Sequence, residues 1–288
     1  MKKIEEFSYA FEEKEPVITI NPGEIIKLKI EDCFSGMIKK KSDWPNEKIM
    51  EYANPCTGPI YVNGAEPGMS LSVDVLDIKV GHKGTNIAKD WGMLNGRVYG
   101  IKIMKIEKKK LVLNDKIKIQ LDPMIGCIGT APKNPVSTLK AGYFGGNMDI
   151  NLVRKGSTVH LPVFVSGGLL YIGDLHALMG ESEPTLCAIE TYGEVLVKIN
   201  LTSQKILRPR IETGEEFVTV AIEKNMETAT KIAVNDMFDF LVYEVGIDKM
   251  DAHVLISAAC NVRLGVHDEV VAIALIKRDI IKNYIRSD

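Results

Sequence analysis

The hydrophobic period of this chain changes once, near residue 222, and that change most narrowly limits what it can fold into. Upstream, short runs alternate apolar and polar residues with the two-residue period of half-buried strands. Leu71, Val73 and Val75 point one way while Ser72 and Asp74 point the other, which predicts a solvent-facing Asp74. Similar runs at 17–20, 25–30, 98–106, 111–113, 117–121, 158–165 and 195–201 are separated by polar turns such as Asn21-Pro22-Gly23, the pattern of a sandwich or barrel. Residues 37–54 lack a clean period and read as an irregular excursion or a short helix, of the kind that covers a site. Downstream, Ala229, Ile232, Ala233, Met237, Phe240 and Leu241 recur at steps of three and four, predicting a helix over 226–244 stopped by Gly246. Asp248 is a ready cap for a second helix reaching Asn261, and 270–276 is a continuous apolar strand. The expectation is a mainly β protein with an α+β C-terminal part: a jelly-roll-like β-sandwich over 1–221 that carries the site, and a small α/β subdomain over 222–288 packed on it.

Charge excludes some partners. With 36 basic against 38 acidic residues the net charge is −2, so no global field draws nucleic acid or an anionic membrane. The basic cluster from Lys102 to Lys110 reads as a solvated strand end or turn. No signal-peptide core and no apolar run of about 18 residues is present, so a cytoplasmic protein is expected. Five scattered cysteines without a Cys-x-x-Cys pair fit a reducing compartment and no zinc ribbon.

The chemistry concentrates in Gly173-Asp174-Leu175-His176-Ala177-Leu178-Met179-Gly180-Glu181-Ser182-Glu183, with Glu190 close behind. Asp174 and His176, two residues apart, share one face of an extended segment, and Glu181 and Glu183 do the same after Gly180. If these carboxylates converge, they raise one another's pKa values unless a cation neutralises them. A solvated acidic loop with His176 packed at its edge would have the same spacing, so both readings stay open at this point. Other chemistries fit poorly. There is no Gly-x-Ser-x-Gly elbow for a serine triad. Cys127 has no basic neighbour and reads as a small buried hydrophobe. Gly145-Gly146-Asn147 lacks the Lys-Ser/Thr of a phosphate loop. His82, His160, His253 and His267 are isolated and receive no role.

Several stretches together resemble the acetamidase/formamidase family of amide hydrolases. They are Asn54-Pro55-Cys56-Thr57-Gly58-Pro59 with Gly64-Ala65-Glu66-Pro67-Gly68, then Pro123-Met124-Ile125-Gly126 with Gly129 and Pro132. Gly145-Gly146-Asn147-Met148-Asp149, Leu161-Pro162-Val163 and Gly173-Asp174-Leu175-His176-Ala177 with Gly180, Glu183 and Glu190 complete the match. The chain departs from the family pattern at Met179, where a glutamine is common, at Ser182, where a glycine is common, and at Ile276-Lys277, where Pro-Lys is expected.

The resemblance implies a cytoplasmic homodimer or higher homo-oligomer. Such an enzyme would cleave the C–N bond of short-chain linear amides, acetamide or formamide, to carboxylate and ammonia with metal-activated water. On that basis Asp174, His176 and Glu181 are expected to hold the metal, with Asn147 and Asp149 as ligands or close supports and Asp32 as a weaker candidate. Glu183 is expected to carry the proton, so Glu183, Asp174 and His176 form the catalytic group. Oxygen ligands with one His suit Zn2+ or Mn2+, and oxygens alone suit Ca2+. The rival is a non-catalytic β-sandwich that binds a small ligand through a structural Ca2+. A cleft that contains both Asn147-Met148-Asp149 and His176 favours the hydrolase.

Overall fold

The structure is a computed structural model that describes residues 3–266 and 269–284; His267 lies outside the described residues. Its alternating segments form two large, mostly antiparallel sheets packed face to face, as the mainly β expectation requires. Among the described residues the first sheet has nine strands, in the order Lys3–Ile4, Glu24–Ile30, Gly193–Thr202, Ser70–Val80, Thr158–Pro162, Arg210–Glu212, Glu216–Glu223, Val270–Lys277 and Asn261–Val266. The spine of the second sheet is Leu170–His176, flanked on one edge by Met124–Thr130. Its other edge is shared: Cys56–Val62 pairs with the first part of the strand, and Glu190–Thr191 pairs with its end. Leu28, Val73, Val75 and Val197 from the first sheet meet Ile60, Ile125, Ile128 and Ile172 from the second in one continuous core.

The C-terminal strands extend the first sheet. Glu216–Glu223 pairs along its whole length with Val270–Lys277, so hydrogen bonding runs unbroken through residue 221. Helix Met226–Asp239 is capped by Asn225, whose side chain accepts from the Thr228 N–H at 2.8 Å. It buries Ala229, Ala233 and Met237 against Phe217, Ala272, Ala274 and Ile276 on the outer face of this sheet. The single helix expected to 244 becomes a π-helical turn over Phe240–Glu244. Helix Lys249–Ala259 starts at Asp248 as expected, and Asp248 accepts from the Met250 N–H at 2.8 Å. Asp74 lies on the outer face as expected, half-buried and accepting from Thr158 Oγ1 at 2.8 Å and Asn200 Nδ2 at 3.3 Å. These cross-strand polar neighbours, invisible to a two-residue period, shield it in part. The 37–54 excursion contains one short helix, Glu47–Glu51. No helix among the described residues is long and apolar enough to cross a membrane.

Glu212 ties the sandwich to the C-terminal strands. It meets His160 Nε2 at 3.0 Å and Arg278 Nη1 at 3.0 Å, and Arg278 lies 4.3 Å over the Phe217 ring. Burial alone would raise the Glu212 pKa, but the hydrogen bonds and charges of His160 and Arg278 outweigh it and hold the group below the usual range. A depressed carboxylate pKa stabilises the fold above the unfolded value of about 4.3, and this contribution disappears as pH falls through the lower folded value. The Tm difference between the native chain and Glu212→Gln is therefore expected to be full above about pH 5 and to shrink on acidification below about pH 4. A difference that grows in acid would contradict this assignment.

Candidate functional site

The strand alternation slips once, and the site is built where it slips. Leu170 and Ile172 face the intersheet core, yet so does Leu175, and the adjoining strand does the same with Ile125 and Ile128. Between them Asp174 has a left-handed backbone, φ +56°. At this level the pairing partner of Leu170–His176 changes from Cys56, opposite Gly173, to Glu190 and Thr191, opposite His176 and Leu175. The seam opens a cavity of about 270 Å³. Asp149, Asp174, Glu183 and Glu190 line it together with Asn54, Asn147 and Cys33. Met50 and Ala53 from the 37–54 excursion line it too, so that segment does cover the site, and Phe34 joins them from the turn before it.

His176 is buried and central. Its Nε2 lies 3.3 Å from Asp174 Oδ1 and 3.3 Å from Glu190 Oε2, and its Nδ1 lies 3.9 Å from Asp149 Oδ1. Asp149, His176 and Glu183 offer ligand atoms within 4.8 Å of one another, and so do Cys33, Asp174 and Glu190. The other Glu190 oxygen accepts from the Ala188 N–H at 2.8 Å, which orients the carboxylate. Gly126 makes room for this convergence. A Cβ built there would lie 2.4 Å from Asp149 Oδ1, 2.5 Å from Asp174 Oδ2 and 3.0 Å from His176 Cε1. Only a residue without a side chain lets two carboxylates and an imidazole meet at this point.

The electrostatics follow from burial. Burial first, then the charges of Glu183 and Asp174, raises the Asp149 pKa well above the carboxylate range. Burial pushes Glu183 up to about 8. For His176 burial acts downward, but Glu190 and Asp174 prevail and raise it well above its ordinary value. Asp149 (φ +46°) and Glu183 (φ +41°) share the left-handed backbone of Asp174, a clustering of sparsely populated conformations that marks functional sites.

Two expected ligands are placed elsewhere. Glu181 pairs with Arg263 Nη1 at 3.0 Å, and its side chain is 49% exposed. Consecutive left-handed residues, Ser182 at φ +67° and Glu183, reverse the chain and cancel the alternation that would have put 181 and 183 on one face. Asp32 is buried, but its Oδ1 accepts from the Phe34 and Gly36 N–H groups at 3.0 and 3.1 Å, so the carboxylate closes a turn. Asn147 does reach the cavity wall, where its Oδ1 accepts from Asn54 Nδ2 at 2.6 Å. Met179 packs with Met124 and Ala188 away from the cavity lining.

Sequence reasoning gave no role to Cys33, Asn54, Trp91 or Gly126, and did not place Glu190 against His176. Asn54 and Gly126 stood within the matched stretches, but only strand pairing brings Glu190 opposite His176.

Comparison with known proteins identifies the family. The family model described as Acetamidase/Formamidase family matches residues 11–140 and 133–275. The crystal structure of an acetamidase from Bacillus halodurans superimposes with a TM-score of 0.93 at 31% identity, covering 98% of this chain and 99% of that one. A predicted acetamidase/formamidase from Thermoanaerobacter tengcongensis gives 0.94 at 32% identity, with 99% and 98% covered. A formamidase from Methylophilus methylotrophus is 31% identical over 64% of this chain and 61% of its own length. Of the curated relatives it matches, the chain spans 61% to 68%. With the family model covering most of its length and both solved structures matching it nearly end to end, this chain belongs to the Acetamidase/Formamidase family, a family of amide-hydrolysing enzymes.

Proposed function

We propose that the chain is a metal-dependent amidase that hydrolyses short primary amides such as acetamide or formamide. The observation that carries this reading is the convergence of buried Asp149, Asp174, Glu183 and Glu190 on the lining of one cavity, with buried His176 directly behind them in contact with Asp174 and Glu190. Asn147 and Asp149 share that cavity with Asp174, which an independent Ca2+-binding loop would have no reason to produce.

The donor set fits a divalent cation. A cluster of buried carboxylates around one imidazole is strongly unfavourable without a compensating charge. Asp174 Oδ1, Glu190 Oε2 and His176 Nδ1 are buried without a directed hydrogen bond. With Nε2 facing Asp174 and Glu190, a proton on that nitrogen leaves the Nδ1 lone pair turned toward Asp149. His176 Nδ1, Asp149 and Asp174 Oδ2 would therefore hold the ion, over the space that Gly126 leaves. Zn2+ or Mn2+ suits this mixed nitrogen and oxygen set, and Ca2+ would suit the oxygens alone. Bound there, the cation supplies a Lewis acid that polarises the amide carbonyl and makes water acidic enough to attack near neutral pH.

The chain's own residues bind the substrate and move the proton. Asn54 donates both Nδ2 hydrogens, to Thr138 O at 2.8 Å and to Asn147 Oδ1, which leaves its buried Oδ1 as an unused acceptor on the cavity wall. The Trp91 Nε1–H is a buried donor without a partner, on a side chain that lines the same cavity. A primary amide presents the complementary pair, an NH2 that donates and a carbonyl that accepts. Glu183 faces the cavity next to Asp149 and is placed to take a proton from the attacking water and deliver it to the departing nitrogen.

Chelation is expected to abolish ammonia release from acetamide or formamide, and added Zn2+ or Mn2+ to restore it; full activity in metal-free protein would overturn the reading. Glu183→Gln keeps the shape and removes the proton carrier, so kcat should fall by about 10²–10⁴-fold with metal content retained. Wild-type rates in this variant would reassign the proton transfer. Gly126→Ala inserts a methyl group among the ligand atoms. It should lower metal content and cut activity by at least about 100-fold while far-UV circular dichroism stays native.

A further inference from the structure

The proposed ion uses only part of the cluster. Glu190 Oε2 and Asp174 Oδ1 both approach the same His176 nitrogen at 3.3 Å, so a single Nε2–H is divided between two acceptors. Neither oxygen has a directed hydrogen bond, a costly state for groups that are 3–4% exposed. Asp174 faces both ways. Its Oδ2 lies with Asp149 Oδ1 over Gly126, and its Oδ1 lies on the Glu190 side. On that second side a thiol is within reach: Cys33 Sγ, Asp174 and Glu190 offer ligand atoms within 4.8 Å of one another and line the same cavity.

Resting on the amidase reading, we infer that the site has a second cation position, held by Cys33, Glu190 and Asp174, with Asp174 bridging the two. The two positions differ in chemistry. The first offers nitrogen and oxygen. The second adds sulfur, which selects thiophilic ions such as Zn2+ and Co2+ over Mg2+ or Ca2+, and a coordinated thiol gives up its proton outright. Cys187 also lines the cavity, but its Sγ already accepts from the Ile87 N–H at 3.2 Å.

The probe is Co2+, titrated into the chelator-treated full chain and followed by elemental analysis, by the near-ultraviolet thiolate-to-Co2+ charge-transfer band, and by ammonia release. The native chain should take up two equivalents, one of them producing the band. Cys33→Ser should keep one equivalent and lose the band, whereas Cys187→Ser should keep both equivalents and the band. Uptake of a single equivalent without a sulfur signature, or a band that persists in Cys33→Ser, would overturn the second position. If that single equivalent restores activity, the amidase reading stands and only this inference falls. If no Co2+ binds and chelation leaves activity intact, the metal-dependent reading falls with it.

Discussion

Four carboxylates and one imidazole held out of water within a few ångströms of one another are the constraint on which the rest of this structure depends. Such a cluster repels itself, and burying each charge costs several kcal/mol even after relaxation. It persists because Asp174, His176 and Glu190 sit on paired strands backed by large apolar side chains, and Asp149 and Glu183 are held on the loop and turn that adjoin them. The raised pKa values of Asp149 and Glu183 record first their burial and then the charges of neighbouring carboxylates. A divalent cation would relieve it at the place where catalysis needs a Lewis acid, so electrostatic relief and chemistry would have one source.

The sandwich produces the site through an irregularity in an otherwise regular sheet. Two strands compete for one edge of Leu170–His176, and the gap between them falls at Asp174. Left-handed backbone at Asp149, Asp174 and Glu183 turns these carboxylates out of the positions that a plain two-residue alternation would give them. On the facing strand, Gly126 is the complement: its missing Cβ is the volume into which the acids converge. A regular sheet here would send Asp174 and Leu175 to opposite faces from those they occupy.

This explains what the sequence could and could not reveal. The fold class was legible because periodicity reports which face is buried, and that signal is strong over long runs such as 71–78 and 226–241. The cluster Asp174, His176 and Glu183 was legible because three ligand types in one short glycine-punctuated segment are rarely accidental. Glu181 misled because period-two reasoning assumes an extended chain, and the reversal at Ser182 and Glu183 removes that assumption. Asp32 misled because a turn-closing carboxylate and a ligand look alike until its N–H partners are known. Glu190 and Cys33 were present but unassigned, since their roles come from strand pairing and from an excursion folding back, neither of which leaves a local mark.

The C-terminal strands contribute to the site although none of their residues lines the cavity. Arg263, on the edge strand Asn261–Val266, pairs with Glu181 at 3.0 Å, and the Ser182 hydroxyl donates to the Leu264 carbonyl. Both contacts grip the reversal that precedes Glu183. Exposed ion pairs add little to global stability, but a hydrogen bond from within the left-handed turn acts on geometry, by favouring the one backbone state that aims Glu183 inward. The surface position of Glu181 is thus consistent with a supporting role: it anchors the loop from outside, while its neighbour two residues on works inside the cavity.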